Sequence, residues 1–142
     1  MDALRRRGPL RVEAEALRVV GECVGHTLWV MACAWAPDGS ALVTVSHDRT
    51  ARVWSAGDWS CVRTLTGHTG GVLACAWAPD GSKLVTASWD RTARVWRAGD
   101  WSCLRTLTGH TRNVWACAWA PDGSMLVTAS DDGTARVWSA ED

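Results

Sequence analysis

One spacing governs this chain: almost every distinctive residue recurs 42 positions further on. Gly-His-Thr stands at 25–27, 67–69 and 109–111. Ala-Pro-Asp-Gly-Ser stands at 36–40, 78–82 and 120–124, and Thr-Ala-Arg-Val-Trp at 50–54, 92–96 and 134–138. A fixed period of this length marks a repeat architecture, in which one small supersecondary unit stacks on copies of itself. The units run over 25–66, 67–108 and 109–142, with a short arm over 1–16.

Each unit reads as β-structure. Val72-Leu73-Ala74-Cys75-Ala76-Trp77 is an apolar run too short for a stable helix and ended by a turn. In Ala78-Pro79-Asp80-Gly81, proline presets φ and glycine accepts the positive φ that follows. Lys83 to Ser88 is the second strand, Thr92 to Trp96 the third and Cys103 to Leu107 the fourth, with polar turns between them. The first strand is apolar on both faces, as in a sheet covered on both sides. Its apolar positions break strict alternation, which places a β-bulge near Leu73.

Four short strands in about 40–45 residues make the blade of a β-propeller. At this point the sequence resembles the WD-repeat family over residues 17–142. The Gly-His pairs, the Pro-Asp-Gly turns, the Ser-x-Asp turns and the Val-Trp strand ends carry the likeness. One feature departs from the family pattern: Trp54, Trp96 and Trp138 are followed by Ser55, Arg97 and Ser139 instead of aspartate. The resemblance implies an all-β fold of three four-stranded blades.

The sets His26/Ser46/Asp48, His68/Ser88/Asp90 and His110/Ser130/Asp132 invite comparison with a hydrolase triad. A catalytic constellation does not need three copies in one small chain, and no Gly-x-Ser-x-Gly elbow surrounds the serines. The family resemblance implies a structural role instead. Each set joins Trp54, Trp96 or Trp138 in a buried tetrad, with indole, hydroxyl, imidazole and carboxylate linked in series. No enzyme activity is expected, and hydrolysis is the remote alternative.

Near-identical repeats show where the units differ. The main differences fall at Leu28/Gly70/Arg112, Trp29/Gly71/Asn113, Met31/Leu73/Trp115, His47/Trp89/Asp131 and Arg49/Arg91/Gly133. In the blade geometry that the resemblance implies, these positions share the top face of the disc, where such proteins commonly bind partners. Trp29, Met31, Leu73, Trp89 and Trp115 form an apolar patch there, with His47, Asn113 and Asp131 as polar surround. Trp is enriched at binding hot spots, and Met adapts to irregular partners. A protein or peptide partner is expected. A self-packing seam or a fragment of a larger propeller is the alternative.

Composition removes other classes. Fifteen basic residues balance fifteen acidic ones, so no general affinity for nucleic acid or an anionic membrane is expected. No apolar run approaches the roughly 20 residues that span a bilayer. The three N-terminal arginines precede no apolar stretch of the secretory kind. Of the six cysteines, Cys33, Cys75 and Cys117, and Cys61 and Cys103, follow the repeat, Cys23 stands alone, and none has the close pairing of a zinc site. They read as buried free thiols of an intracellular protein, cytoplasmic or nuclear, with no metal or cofactor. All 11 aromatic residues of the chain other than histidine are Trp. Trp35, Trp77 and Trp119 end the first strands and read as core, while Trp59 and Trp101 precede the fourth.

Three blades are too few for a ring, since propellers typically have about 4–8. Residues 18–23 align with 60–65, so they read as a fourth strand without its own blade. The third blade correspondingly lacks a fourth strand. Closure as a homodimer of six blades or a homotrimer of nine is the expectation. An open arc is the alternative.

Overall fold

The computed structural model describes residues 17–140. Blade one holds β1 (Val30–Trp35), β2 (Ala41–Ser46), β3 (Ala51–Ser55) and β4 (Cys61–Leu65). Blade two holds β5 (Val72–Trp77), β6 (Lys83–Ser88), β7 (Ala93–Arg97) and β8 (Cys103–Leu107). Blade three holds β9 (Val114–Trp119), β10 (Met125–Ser130) and β11 (Ala135–Ser139). Within each blade, neighbouring strands pair antiparallel in chain order. The described residues contain no helix.

The bulge expected near Leu73 is present in every blade. Pairing slips between Val30 and Ala32, between Val72 and Ala74, and opposite Ala129 and Ser130. The extra residues are therefore Met31, Leu73 and Trp115. Each is re-aimed by the bulge, as an unpaired residue in a ladder must be.

The apolar core lies between blades. Val43, Val45, Val53 and Leu65 of blade one pack against Val72, Leu84 and Trp96 of blade two. Val85, Ala93 and Val95 of blade two pack against Leu126 of blade three. The first strands are also tied by hydrogen bonds. The Trp77 indole N–H donates to the Ala34 carbonyl at 3.2 Å, and that of Trp119 to the Ala76 carbonyl at 3.0 Å. A blade thus covers one face only by meeting its neighbour.

Residues 17–29 form no strand, and blade three has three strands, as the sequence leads one to expect. Three other expectations need correction. First, Trp35 is 55% exposed, since no preceding blade covers its ring among the described residues. Second, Leu73 is only 6% exposed and belongs to the core instead of a contact surface. Third, Cys33, Cys61 and Cys103 are exposed, whereas Cys23, Cys75 and Cys117 are half-buried; all six are free thiols. Burial pushes the Cys75 thiol up to about 12, which leaves it unreactive near neutral pH. The expected arm over 1–16 lies outside the described residues.

The Gly of each Gly-His pair has a packing reason. Gly25, Gly67 and Gly109 lie against the guanidinium groups of Arg52, Arg94 and Arg136 in the third strand of the same blade. A side chain at Gly67 would strike Arg94, and its φ of +133° disfavours any L side chain. These arginines are therefore packing residues more than a basic surface; the Arg52 and Arg94 Nε atoms are buried. Gly67→Ala should destabilise the fold by roughly 1–3 kcal/mol through backbone strain and the clash. Urea unfolding followed by Trp fluorescence measures it.

Candidate functional site

Each blade carries a hydrogen-bonded relay built on its second strand. In blade two the Trp96 indole N–H donates to Thr86 Oγ1 at 3.0 Å, and Thr86 Oγ1 meets His68 Nε2 at 2.7 Å. His68 Nδ1 meets Asp90 Oδ2 at 2.8 Å. Blade one repeats this through Trp54, Thr44, His26 and Asp48, and blade three through Trp138, Thr128, His110 and Asp132. The partners fix the histidine tautomer: Nδ1–H donates to the carboxylate, and Nε2 accepts from the threonine hydroxyl. Every donor in the series then has an acceptor.

The hydroxyl in series is thus threonine, which corrects the expected place of Ser46, Ser88 and Ser130. Residues two apart on a strand share a face, so both hydroxyls point the same way, and spacing alone does not rank them. The serines serve the turn. Ser88 Oγ donates to the Gly70 and Gly71 carbonyls at 3.0 Å and accepts the Asp90 N–H at 3.0 Å. Ser46 and Ser130 likewise donate to Leu28 and Arg112 carbonyls. Thr50, Thr92 and Thr134 add hydroxyl bonds to the aspartates. Thr86 is fully buried, and Thr44 and Thr128 nearly so. No substrate carbonyl can reach these hydroxyls, so the set works as a structural clamp from the loop before the first strand to the third strand.

Two variants separate the roles. Thr86→Val leaves the Trp96 indole N–H and His68 Nε2 buried and unpaired, which should cost about 1–3 kcal/mol. It should also shift the Trp96 indole proton in the NMR spectrum. Ser88→Ala should leave that resonance in place.

The carboxylates feel competing effects. Burial works against ionisation of Asp48, but the Thr50 hydroxyl, the His26 ring and the Thr27 and Thr50 N–H groups outweigh it and bring the carboxyl down to about 2. Asp90 is lowered by the same balance, with burial opposed by His68 and Thr92. Asp132 is lowered chiefly by the Thr134 hydroxyl. A depressed carboxyl stabilises the fold fully above its unfolded value, near about 3.9, and loses that contribution as pH falls through its folded value. The melting temperature should therefore drop between about pH 4 and pH 2. Asp48→Asn should lower it at pH 7 and flatten that acid limb, which thermal melts from pH 2 to pH 7 would test.

A row of rings crosses all three blades. Trp29 stacks on His47 with centroids 6.2 Å apart. His47 meets Trp89 edge-on at 4.7 Å, and Trp89 meets Trp115 edge-on at 6.2 Å. The turn positions are pinned: the His47 N–H donates to the Trp29 carbonyl, that of Trp89 to Gly71 and that of Asp131 to Asn113. Glycine at 71 has a local cause, since a Cβ there would lie 2.7 Å from His47 Nδ1. That nitrogen is buried with no partner. Trp29 is 78% exposed, and Trp89 and Trp115 are about 40% exposed. Met31 and Asp131 are exposed and Asn113 half-buried, whereas Leu73 is withdrawn. Arg49 and Arg91 hold φ near +75°, where blade three has Gly133, so that difference has a backbone meaning as well. Among the described residues no group of three His, Cys, Asp or Glu side chains could hold a metal ion. No helix among them is long and apolar enough to cross a membrane.

Stacked antiparallel blades, each clamped by a Trp-Thr-His-Asp relay, define a propeller-type repeat protein. The family model described as WD domain, G-beta repeat matches residues 17–55, 59–97 and 101–139, and the chain belongs to this WD-repeat family. Similar segments occur in the Transcription initiation factor TFIID subunit 5 of Drosophila melanogaster, 46% identical over 46 residues. They also occur in the Apoptotic protease-activating factor 1 of Mus musculus, 49% identical over 35 residues, and the WD40 repeat-containing protein HOS15 of Arabidopsis thaliana, 50% identical over 42. These matches cover 32%, 25% and 28% of this chain, but only 6%, 3% and 7% of those proteins.

Proposed function

We propose that this chain is a non-enzymatic interaction scaffold whose top face binds a protein or peptide through the row Trp29, His47, Trp89 and Trp115. The observation that carries this reading is the contrast between a copied frame and a diversified surface. Relay, turns and core repeat, while the ring-bearing positions on one face differ in every blade. A ring row with Met31 beside it offers an apolar anchor site, and Arg112, Asn113 and Asp131 offer polar selection at one end. Aromatic groups that merely completed the core would be covered, and three of these are exposed. The relatives' names, a subunit of a transcription initiation factor among them, support a setting inside the cell, in cytoplasm or nucleus.

Peptides selected from a displayed library against the whole chain would test the reading. Binding should weaken by about 2 kcal/mol or more on Trp89→Ala or Trp115→Ala, as for hot-spot residues. It should be indifferent to Lys83→Ala beside the opposite turn. Peptides that bind the Trp89→Ala/Trp115→Ala protein undiminished would place recognition elsewhere.

A further inference from the structure

The strand ends remote from the ring row carry a second concave place. A groove of about 410 Å³ runs there between blades one and two. Pro37, Asp38 and Ala41 stand on one side of it, and Trp77, Asp80 and Trp101 on the other. Both sides belong to complete four-stranded sheets. The turns that frame the groove touch, since a Cβ on Gly81 would lie 3.8 Å from Pro37 Cδ. The Ala98 N–H donates to the Ser82 carbonyl at 2.9 Å and ties the two turns of blade two together.

The floor of the groove is aromatic. Trp77 and Trp101 are half-buried, and their rings meet edge-on at 5.6 Å. The bond from the Trp77 indole N–H to the Ala34 carbonyl fixes that ring across the junction. The rim is acidic. Asp38 Oδ1 accepts the N–H and the hydroxyl of Ser40 at 2.9 and 2.7 Å, and Asp80 Oδ1 accepts those of Ser82 at the same distances. These bonds hold both carboxyls below the usual carboxylate range, so both are charged at neutral pH. Each Oδ2 is left without a hydrogen bond to another of the described residues.

The comparison of repeats bears on the same place. Ala41, Lys83 and Met125 occupy one position of the three units. Ala41 is too short to reach either acid. One period on, Lys83 brings an ammonium to the turn of Asp80 and acts on that carboxylate. Arg97, the neighbouring cation on blade two, is paired with Asp100 at 3.6 Å. The groove between blades one and two therefore joins two indole rings and two carboxylates with no cation in its walls.

We infer that this groove binds an arginine side chain of an extended partner peptide. The guanidinium lies against the Trp77 and Trp101 rings and donates to the Oδ2 atoms of Asp38 and Asp80. Arginine suits the place because it is planar, weakly hydrated and stacks on aromatic rings. A hard metal ion would need more oxygens than two carboxylates supply. The groove and the ring row lie at opposite ends of the strands, so the two sites stand or fail separately.

NMR titration of the whole chain with a peptide of three Gly-Arg-Gly units, and with its Lys and Gln counterparts, tests the assignment. The Arg peptide should shift the Trp101 indole proton to saturation and bind about tenfold or more tighter than the Gln peptide, with the Lys peptide between them. Asp38→Asn and Asp80→Asn keep the Oδ1 acceptor of the turn and should each weaken binding about fivefold. Ala41→Lys should weaken it about tenfold or more, with unchanged circular dichroism, by setting a cation in the groove. Lys83→Ala should tighten it, and Trp89→Ala should leave it as it was. The absence of a saturable shift would overturn the inference, as would equal binding of the Lys or Gln peptide. So would binding indifferent to Ala41→Lys and Asp38→Asn, or shifts as large around Asp58 and Asp122 as in the groove, which mark a diffuse attraction to acidic turns.

Discussion

A sheet of four short strands has two apolar faces and cannot cover either of them. This constraint organises the whole molecule. Val43, Val53 and Leu65 are dry only because Val72 and Leu84 of the next blade lie on them. Burial is therefore a property of neighbours, and stability is shared along the row instead of residing in one centre. The relay is the second half of the solution. It holds each third strand to the loop before the first, so that a blade meets its neighbour as a rigid plate.

Most of the fold was legible in the sequence for local reasons. The strand limits follow from short apolar runs closed by Pro-Asp-Gly and Ser-x-Asp turns, and the bulge follows from a break in alternation around Leu73. What was not legible depends on more than local pattern. Thr86 and Ser88 share a face, and only the depth of the ring between them decides which hydroxyl the histidine meets. Threonine recurred with the same period as serine, so the signal existed without a ranking. Trp35 and Trp77 are the same residue in the same motif. They differ because blade one lies in front of Trp77, whereas among the described residues no blade lies in front of Trp35.

The candidate surface was legible in part. Comparing the repeats located Trp29, His47, Trp89 and Trp115, and the structure brings these rings into one row. The same comparison included Leu73, which is buried although Met31 and Trp115 at the equivalent bulges are exposed. It also treated the Arg91 and Gly133 difference as surface variation, although the left-handed backbone at that turn is itself a reason for glycine. Difference between repeats thus mixes selection for contact with relief of strain, and φ separates the two.

The seat of the His47 ring over Gly71 has a consequence for the order of the blades. A unit with Trp29 or Asn113 at that place would bring a side chain into the space the ring occupies. Although the frames are interchangeable copies, their upper rims interlock as neighbours of a given kind. The sequence of units along the chain is therefore a coded order, and shuffling them would keep every strand and lose the surface.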